Sequence, residues 1–253
     1  MPEIGVEGQE KIRAARVLVV GVGGLGSPAA LYLAAAGTGT LGLIDGDVVN
    51  LSNLQRQIIH ATPDVGRAKV DSAEEKIRAL NPDVRVVKHR GFLTGENAAE
   101  LVSGYDFVID ATDNFPVKFL VNDACVLAGK PFSIGGILRF SGQVTTHVPG
   151  SACYRCLFDA PPPESSTPSC SQAGVLGALA GTLGAIQATE ALKFITGAGT
   201  LLTNRLLTFD LKTMDFLRLD VPRRADCPLC GNAPTILRAE CSADFSASCK
   251  NEF

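Results

Sequence analysis

Two cysteine pairs, Cys153-Tyr154-Arg155-Cys156 and Cys227-Pro228-Leu229-Cys230, have the C-x-x-C spacing of metal knuckles. Four thiolates complete a tetrahedral shell and leave no position for water, so the zinc they would hold is structural rather than catalytic. Cys170 stands alone in Pro168-Ser169-Cys170-Ser171, just before a helical pattern. There a helix dipole favours a thiolate able to attack an acyl group or a persulfide, although a loop residue without a role fits equally well. The second chemistry is phosphate binding. Gly21-Val22-Gly23-Gly24-Leu25-Gly26 follows an apolar run, and glycines let backbone N–H groups close on an anion at the positive end of a helix. Asp45 follows at about the twenty-residue spacing of a ribose contact, which points to an adenosine nucleotide and leaves NAD and ATP both open. Asp45 and Asp113 offer hard oxygen ligands suited to Mg²⁺ beside a phosphate, and Arg56 and Lys69 offer positive charge to a transferring phosphoryl group.

Positioning these residues requires strand–helix alternation. Residues 17–20 read as a buried strand, 27–36 as the helix after the glycine turn and 41–45 as a second strand. A helical stripe over 67–80 stops at Asn81-Pro82, and a strand follows at 84–87. Thr94 is expected to cap a helix running to Val102, followed by a strand at 105–109. That strand and the one at 41–45 both end in polar runs at their carboxyl ends, where open parallel sheets bind ligands. A helix over 115–128 and a strand over 130–134 complete a parallel half, and Gly135-Gly136 opens a different regime. Alternation over 142–147 and an apparent hairpin at 205–210 and 215–219 predict antiparallel strands. A Pro- and Ser-rich loop, 159–169, is expected to be mobile, and a long core helix, 175–195, places Gly177, Gly181 and Gly184 on close-packing faces.

The expected fold class is therefore α/β, a Rossmann-like parallel N-terminal sheet continuing into a smaller antiparallel C-terminal part with a structural zinc site. Residues 1–135 form the nucleotide-binding half, 136–238 the antiparallel half and 239–253 a tail, in one compact domain. A chain of 253 residues that is 46% hydrophobic and 19% charged has ample core, and a net charge of −3 gives no electrostatic reason to bind nucleic acid or membrane. The start lacks a basic-plus-apolar leader, and the small uncharged run 173–186 is too short for a bilayer, so a cytoplasmic protein is expected. In a reducing compartment, eight cysteines point to metal or chemistry rather than disulfides. Cys125 falls on an apolar helix face and reads as core, and His60, His89 and His147 read as surface or structural.

In this order, the glycine turn, Asp45-Gly46-Asp47, Ser52-Asn53-Leu54-Gln55-Arg56-Gln57, Gly66-Arg67-Ala68-Lys69, Asp110-Ala111-Thr112-Asp113-Asn114, both C-x-x-C pairs and the Cys170 segment resemble the ThiF/MoeB-type adenylyltransferases. These belong to the HesA/MoeB/ThiF group of bacterial relatives of ubiquitin-activating enzymes. The resemblance spans residues 8–232. It implies a homodimer that uses ATP and Mg²⁺ to adenylate the C-terminal glycine carboxylate of a ubiquitin-like sulfur carrier ending in Gly-Gly, with pyrophosphate leaving and a separate protein donating sulfur. It further implies a nucleotide set of Gly21, Gly23, Gly24, Gly26, Asp45, Asp47, Asn53, Arg56, Lys69, Asp113 and Asn114. Asp45 would hold the ribose, Asn53, Arg56 and Lys69 the phosphates, and Asp113 the Mg²⁺. Arg56, Lys69, Asp113 and Cys170 are the catalytic candidates, with Cys170 matching a loop cysteine used by some members in thioester or sulfur transfer. Such proteins usually start with an arginine-bearing helix that reaches the neighbouring subunit's ATP site; here the earliest arginine to take its place is Arg13. The family's arginine after Asp-Asn is Lys118, which lacks the bidentate fork. Two other functions fit the same residues: a catalytically weak nucleotide- or carrier-binding module, and an NAD-dependent oxidoreductase resting only on the glycine turn and Asp45.

Overall fold

The computed structural model describes residues 1–162 and 173–240 of the chain. Cys170, Cys241, Cys249 and most of the Pro- and Ser-rich loop fall outside the described residues.

The chain runs α1 (Gly5–Ala14), β1 (Arg16–Val20), α2 (Gly26–Ala35), β2 (Thr40–Asp45), α3 (Lys69–Leu80), β3 (Arg85–Arg90), α4 (Ala98–Ser103) and β4 (Phe107–Asp110). It continues through α5 (Phe115–Leu127), β5 (Phe132–Leu138), β6 (Ser141–His147), α6 (Tyr154–Leu157), α7 (Gly177–Thr196), β7 (Arg205–Asp210) and β8 (Asp215–Asp220). One eight-stranded sheet has the order β3-β2-β1-β4-β5-β6-β7-β8. Pairing is parallel from β3 through β5 and antiparallel from β5 through β8. The α/β class with a parallel first part and an antiparallel continuation matches the sequence reading.

Alternation along the strands divides two cores. Val17, Val19, Leu41, Leu43, Phe107 and Ile109 point to the face covered by α2, α3 and α7, while Leu18, Val20, Ile44, Val108 and Phe132 point to the face covered by α4 and α5. The side to which successive strands are added switches between the parallel neighbours β1 and β4, since β2 and β3 extend to one side of β1 and β4 and β5 to the other. Open α/β sheets form their ligand crevice at such a switch point, outside the strands' carboxyl ends.

Three local expectations are corrected. Thr94 does not cap α4: that helix starts at Ala98, and the Thr94 N–H instead donates to the side chain of Asn97. Gly135 and Gly136 do not end the fifth strand; β5 runs through them because β6 continues the pairing that β4 no longer supplies. Gly177 and Gly184 are close-packing glycines, where a Cβ would meet Gln55 O and Leu25 O, but Gly181 faces open space. Of the histidines read as surface or structural, His60 and His147 are buried and hydrogen-bonded, the structural alternative. Among the described residues, no helix is long and apolar enough to cross a membrane.

Candidate active site

The turn after β1 is specified by backbone geometry. Gly21 has φ +89°, and a Cβ on Gly26 would lie 1.9 Å from the Gly21 carbonyl oxygen, so neither position accepts a side chain without rebuilding the turn. Ser27 then locks the entry to α2, with both its N–H and its hydroxyl donating to the Gly23 carbonyl. Pro28 falls in the first turn, where a missing N–H costs nothing.

Asp45 ends β2 directly beside this turn. Its carboxylate accepts from the Val22 N–H at 2.8 Å and from the Asp47 N–H at 2.9 Å, which fixes it against the glycine loop. Lys69 reaches the same place from the start of α3, because a short bridge between Val48 and Ala68 folds the loop after β2 onto the residues before α3. Its Nζ lies 2.7 Å from Asp47 and 3.9 Å from Asp45, and all three side chains are largely shielded from water. Burial raises the Asp47 carboxyl above its usual range against the pull of Lys69, with Asp45 and Asp113 adding to the rise.

Asp113 comes from the other side of the switch point, in the loop after β4. Its side chain is exposed to solvent. Surrounding protein raises its carboxyl above the ordinary value, while Lys118, Lys69 and Arg56 act through space in the opposite direction. Arg56 lies over Gly24, its Cγ 3.5 Å from where a Cβ there would stand, and its guanidinium donates to Ser52 O. The structure therefore brings Gly21, Gly23, Gly24, Gly26, Asp45, Asp47, Arg56, Lys69 and Asp113 together. Asn53 and Asn114 flank the same loops with their side-chain oxygens already engaged, Asn53 by the Asn50 N–H and Asn114 by the Val117 N–H as the cap of α5.

Lys118 sits at the sheet end below Asp113, on which it acts through space. It is buried, pairs with Asp110 at 3.0 Å and donates to the Gly135 carbonyl, so its charge is spent joining β4 to β5. Arg13 lies exposed on α1, and its role is not set by any contact with the crevice residues. Sequence reasoning missed four buried polar residues. Asp110 and Gln187 close the sheet end beneath the crevice, Gln187 donating to Asp110 O. His60 contacts Ser72 and Val22, and Asp64 holds the turn before α3. Asp64 and Asp110 also have partners close in sequence, Arg67 within Gly66-Arg67-Ala68-Lys69 and Thr112 within Asp110-Ala111-Thr112, whereas the partners of His60 and Gln187 lie far along the chain.

Asp64 carries a pH consequence. Its carboxylate is 1% exposed; burial alone would raise its pKa, but the Ala61 N–H and Lys76 outweigh this and hold it at about 2. A folded-state pKa below the unfolded value of 3.8 gives stability that is complete above about pH 4 and is lost as pH falls toward 2. With partly solvated partners, this amounts to about 1–2 kcal/mol. Urea unfolding should accordingly show Asp64→Asn less stable than the parent at pH 6, with the gap closing as pH falls below 4.

The four C-x-x-C thiols form a second cluster. Their sulfurs lie within 4.8 Å of one another, with Cys153 3.6 Å from Cys227 and Cys156 3.4 Å from Cys230. These separations exceed a disulfide bond and approach the sulfur–sulfur spacing of a tetrahedral metal thiolate shell. Burial raises the Cys153 thiol and pushes Cys230 up to about 11, a penalty that a bound cation would relieve. Arg155, between the first two cysteines, makes a two-pronged contact with Asp123 of α5 and stacks on Phe119. Cys125, also on α5, is fully buried core, and burial raises its thiol strongly.

The ThiF family description matches residues 1–229. The sulfur carrier protein adenylyltransferase of Thermus thermophilus is 48% identical over 241 residues, covering 93% of this chain and 89% of that one. The SAMP-activating enzyme E1 of Haloferax volcanii is 48% identical over 231 residues, covering 91% of this chain and 86% of that one. The adenylyltransferase and sulfurtransferase MOCS3 of Bos taurus is 48% identical over 98% of this chain, which spans 54% of the longer protein. Among solved structures, E. coli MccB with succinimide superposes with a TM-score of 0.81 over 90% of this chain and 69% of that one, at 24% identity, a likeness of fold alone. The chain belongs to the ThiF family.

Proposed function

We propose that this chain is an ATP-dependent adenylyltransferase that activates the C-terminal carboxylate of a ubiquitin-like sulfur-carrier protein. The observation that carries this reading is the convergence of Asp45, Asp47, Lys69, Arg56 and Asp113 on the glycine turn at the sheet's switch point, in a chain 48% identical to a named sulfur carrier protein adenylyltransferase. ATP is the substrate that supplies the adenylyl group. The glycine N–H groups and the start of α2 receive its phosphates, and Asp45 takes a ribose hydroxyl with the lone pairs its backbone contacts leave free. The carrier's terminal carboxylate attacks the α-phosphorus, an acyl–phosphate bond forms, and the bond to pyrophosphate breaks. Lys69 and Arg56, placed by α3 and beside Gly24, oppose the charge that gathers on the phosphoryl oxygens and on the leaving group.

The donor set also fits Mg²⁺: Asp113 is exposed, acts through space on Asp47, and would hold the ion, which when bound neutralises the polyphosphate. The thiol cluster fits a structural Zn²⁺ on Cys153, Cys156, Cys227 and Cys230. The family likeness supports a homodimer and a separate sulfur donor, and Cys170 is the candidate for any thioester or persulfide step after adenylation. A nicotinamide cofactor would leave Arg56, Lys69 and Asp113 without employment, and an oxidoreductase is not proposed.

The test is ATP–pyrophosphate exchange with purified protein, Mg²⁺ and a panel of small carriers ending in Gly-Gly. Exchange that depends on one carrier and is lost when its last glycine is removed is expected. ATP binding with no exchange for any carrier would instead favour the binding-module function.

A further inference from the structure

His60 is buried beneath the glycine turn, with Nε2 3.0 Å from the Val22 carbonyl oxygen and Nδ1 2.8 Å from the Ser72 hydroxyl of α3. A carbonyl oxygen only accepts, so Nε2 carries the proton. In the neutral ring Nδ1 then carries the lone pair and faces the Ser72 hydroxyl. Burial first, and then Lys69, lowers the His60 pKa and favours this neutral form, against the Val22 hydrogen bond.

The consequence lies on the opposite edge of the Val22–Gly23 peptide. The described residues contain no cis peptide bonds, and in a trans peptide the C=O and the following N–H point in opposite directions. Holding the Val22 carbonyl inward therefore directs the Gly23 N–H outward. Val22 is fully buried and Gly23 half-buried, and the Gly23 N–H has no protein acceptor among the described residues. Glycine on one side of this peptide lets it turn over at little steric cost, and the reversed orientation would aim a carbonyl oxygen into the crevice. Asp45 fixes the preceding Val22 N–H but leaves this second peptide free, so His60 is the group that selects its orientation.

We infer that His60 is a positioning residue of the phosphate cradle, its Nε2–H holding the Val22 carbonyl inward so that the Gly23 N–H faces a phosphate of the nucleotide. The inference rests on the proposal that the crevice binds ATP. Its signature is selective: a peptide orientation acting on phosphate matters for ATP and not for adenosine.

The test is calorimetric titration of the full chain and its His60→Phe and His60→Gln variants with ATP, with adenosine followed by competition. His60→Phe keeps the bulk and removes the donor, and should lose about 10- to 100-fold in ATP affinity while adenosine changes less than about two-fold. His60→Gln, which can present an amide N–H to the carbonyl, should recover most of that loss. Equal losses for ATP and adenosine, or no loss for either, overturn the inference. Should His60→Phe fail to fold, His60→Leu removes the donor with a smaller side chain; it should weaken ATP selectively, and an unselective or absent effect overturns the inference as well. Parent protein that binds neither compound contradicts the nucleotide site itself, a separate result.

Discussion

Asp113→Ala is expected to reduce carrier-dependent ATP–pyrophosphate exchange by a factor of about 10² to 10³ or more, with the melting temperature unchanged within about 3 °C. The two halves of that result have different causes. Asp113 is exposed, so trimming its side chain opens no cavity, and its carboxylate adds to the rise of the neighbouring Asp47 carboxyl. The fold has no use for a charge there. A reaction at the α-phosphate does, because Asp113 is the site's exposed hard ligand on the β4 side of the switch point. Its neighbour Asp110 is the contrasting case, fully buried and neutralised by Lys118 within the sheet. Asp113→Ala protein that exchanges at the parent rate would remove Asp113 from the machinery.

The second large effect concerns stability. Purified protein is expected to carry one zinc per chain, and Cys227→Ser to lose it with a fall in melting temperature of about 10 °C or more, since structural zinc sites contribute their binding free energy to folding. The cluster joins segments far apart in sequence: Cys153 meets Cys227 and Cys156 meets Cys230, and the small core around them contains Ala152 and Leu229. Few apolar side chains pack there, so little else holds these segments once the metal is gone. Arg155 transmits the loss further, because its contacts with Asp123 and Phe119 brace α5, the helix that begins just after Asp113-Asn114. Metal analysis and thermal melting of parent and variant decide it; zinc-free parent protein that melts at the same temperature as Cys227→Ser would rule the site out.

The legible parts of this site are those whose chemistry is local. The glycine turn, Asp45, Lys69 and Asp113 each follow a strand or open a helix within a few residues of a glycine or polar run, so strand-end logic placed them without knowledge of their neighbours. The C-x-x-C pairs were legible because spacing within each knuckle nearly determines its chemistry, although only the fold brings Cys153 beside Cys227. What was not legible depends on distant partners. His60 contacts a carbonyl in another loop, Lys118 contacts Asp110 and Gly135 across two strands, and Gln187 reaches Asp110 from a helix that follows much later. Gly135-Gly136 looked like a break because glycine weakens strands, yet pairing with β6 carries β5 through it. Gly181 looked equivalent to Gly177 and Gly184, but helical spacing cannot say which face meets α2. Thr94 had the chemistry of a cap and lost that role to the backbone, which begins α4 only at Ala98.

The most direct measurement is the intact mass of a Gly-Gly carrier after brief incubation with the protein, ATP, Mg²⁺ and pyrophosphatase. A carrier heavier by one adenylyl group, placed by fragmentation on its C-terminal carboxylate and absent with Asp113→Ala, is the predicted result. A carrier of unchanged mass, with ATP bound and the carrier itself bound to the protein, would contradict adenylation as the activity of this site.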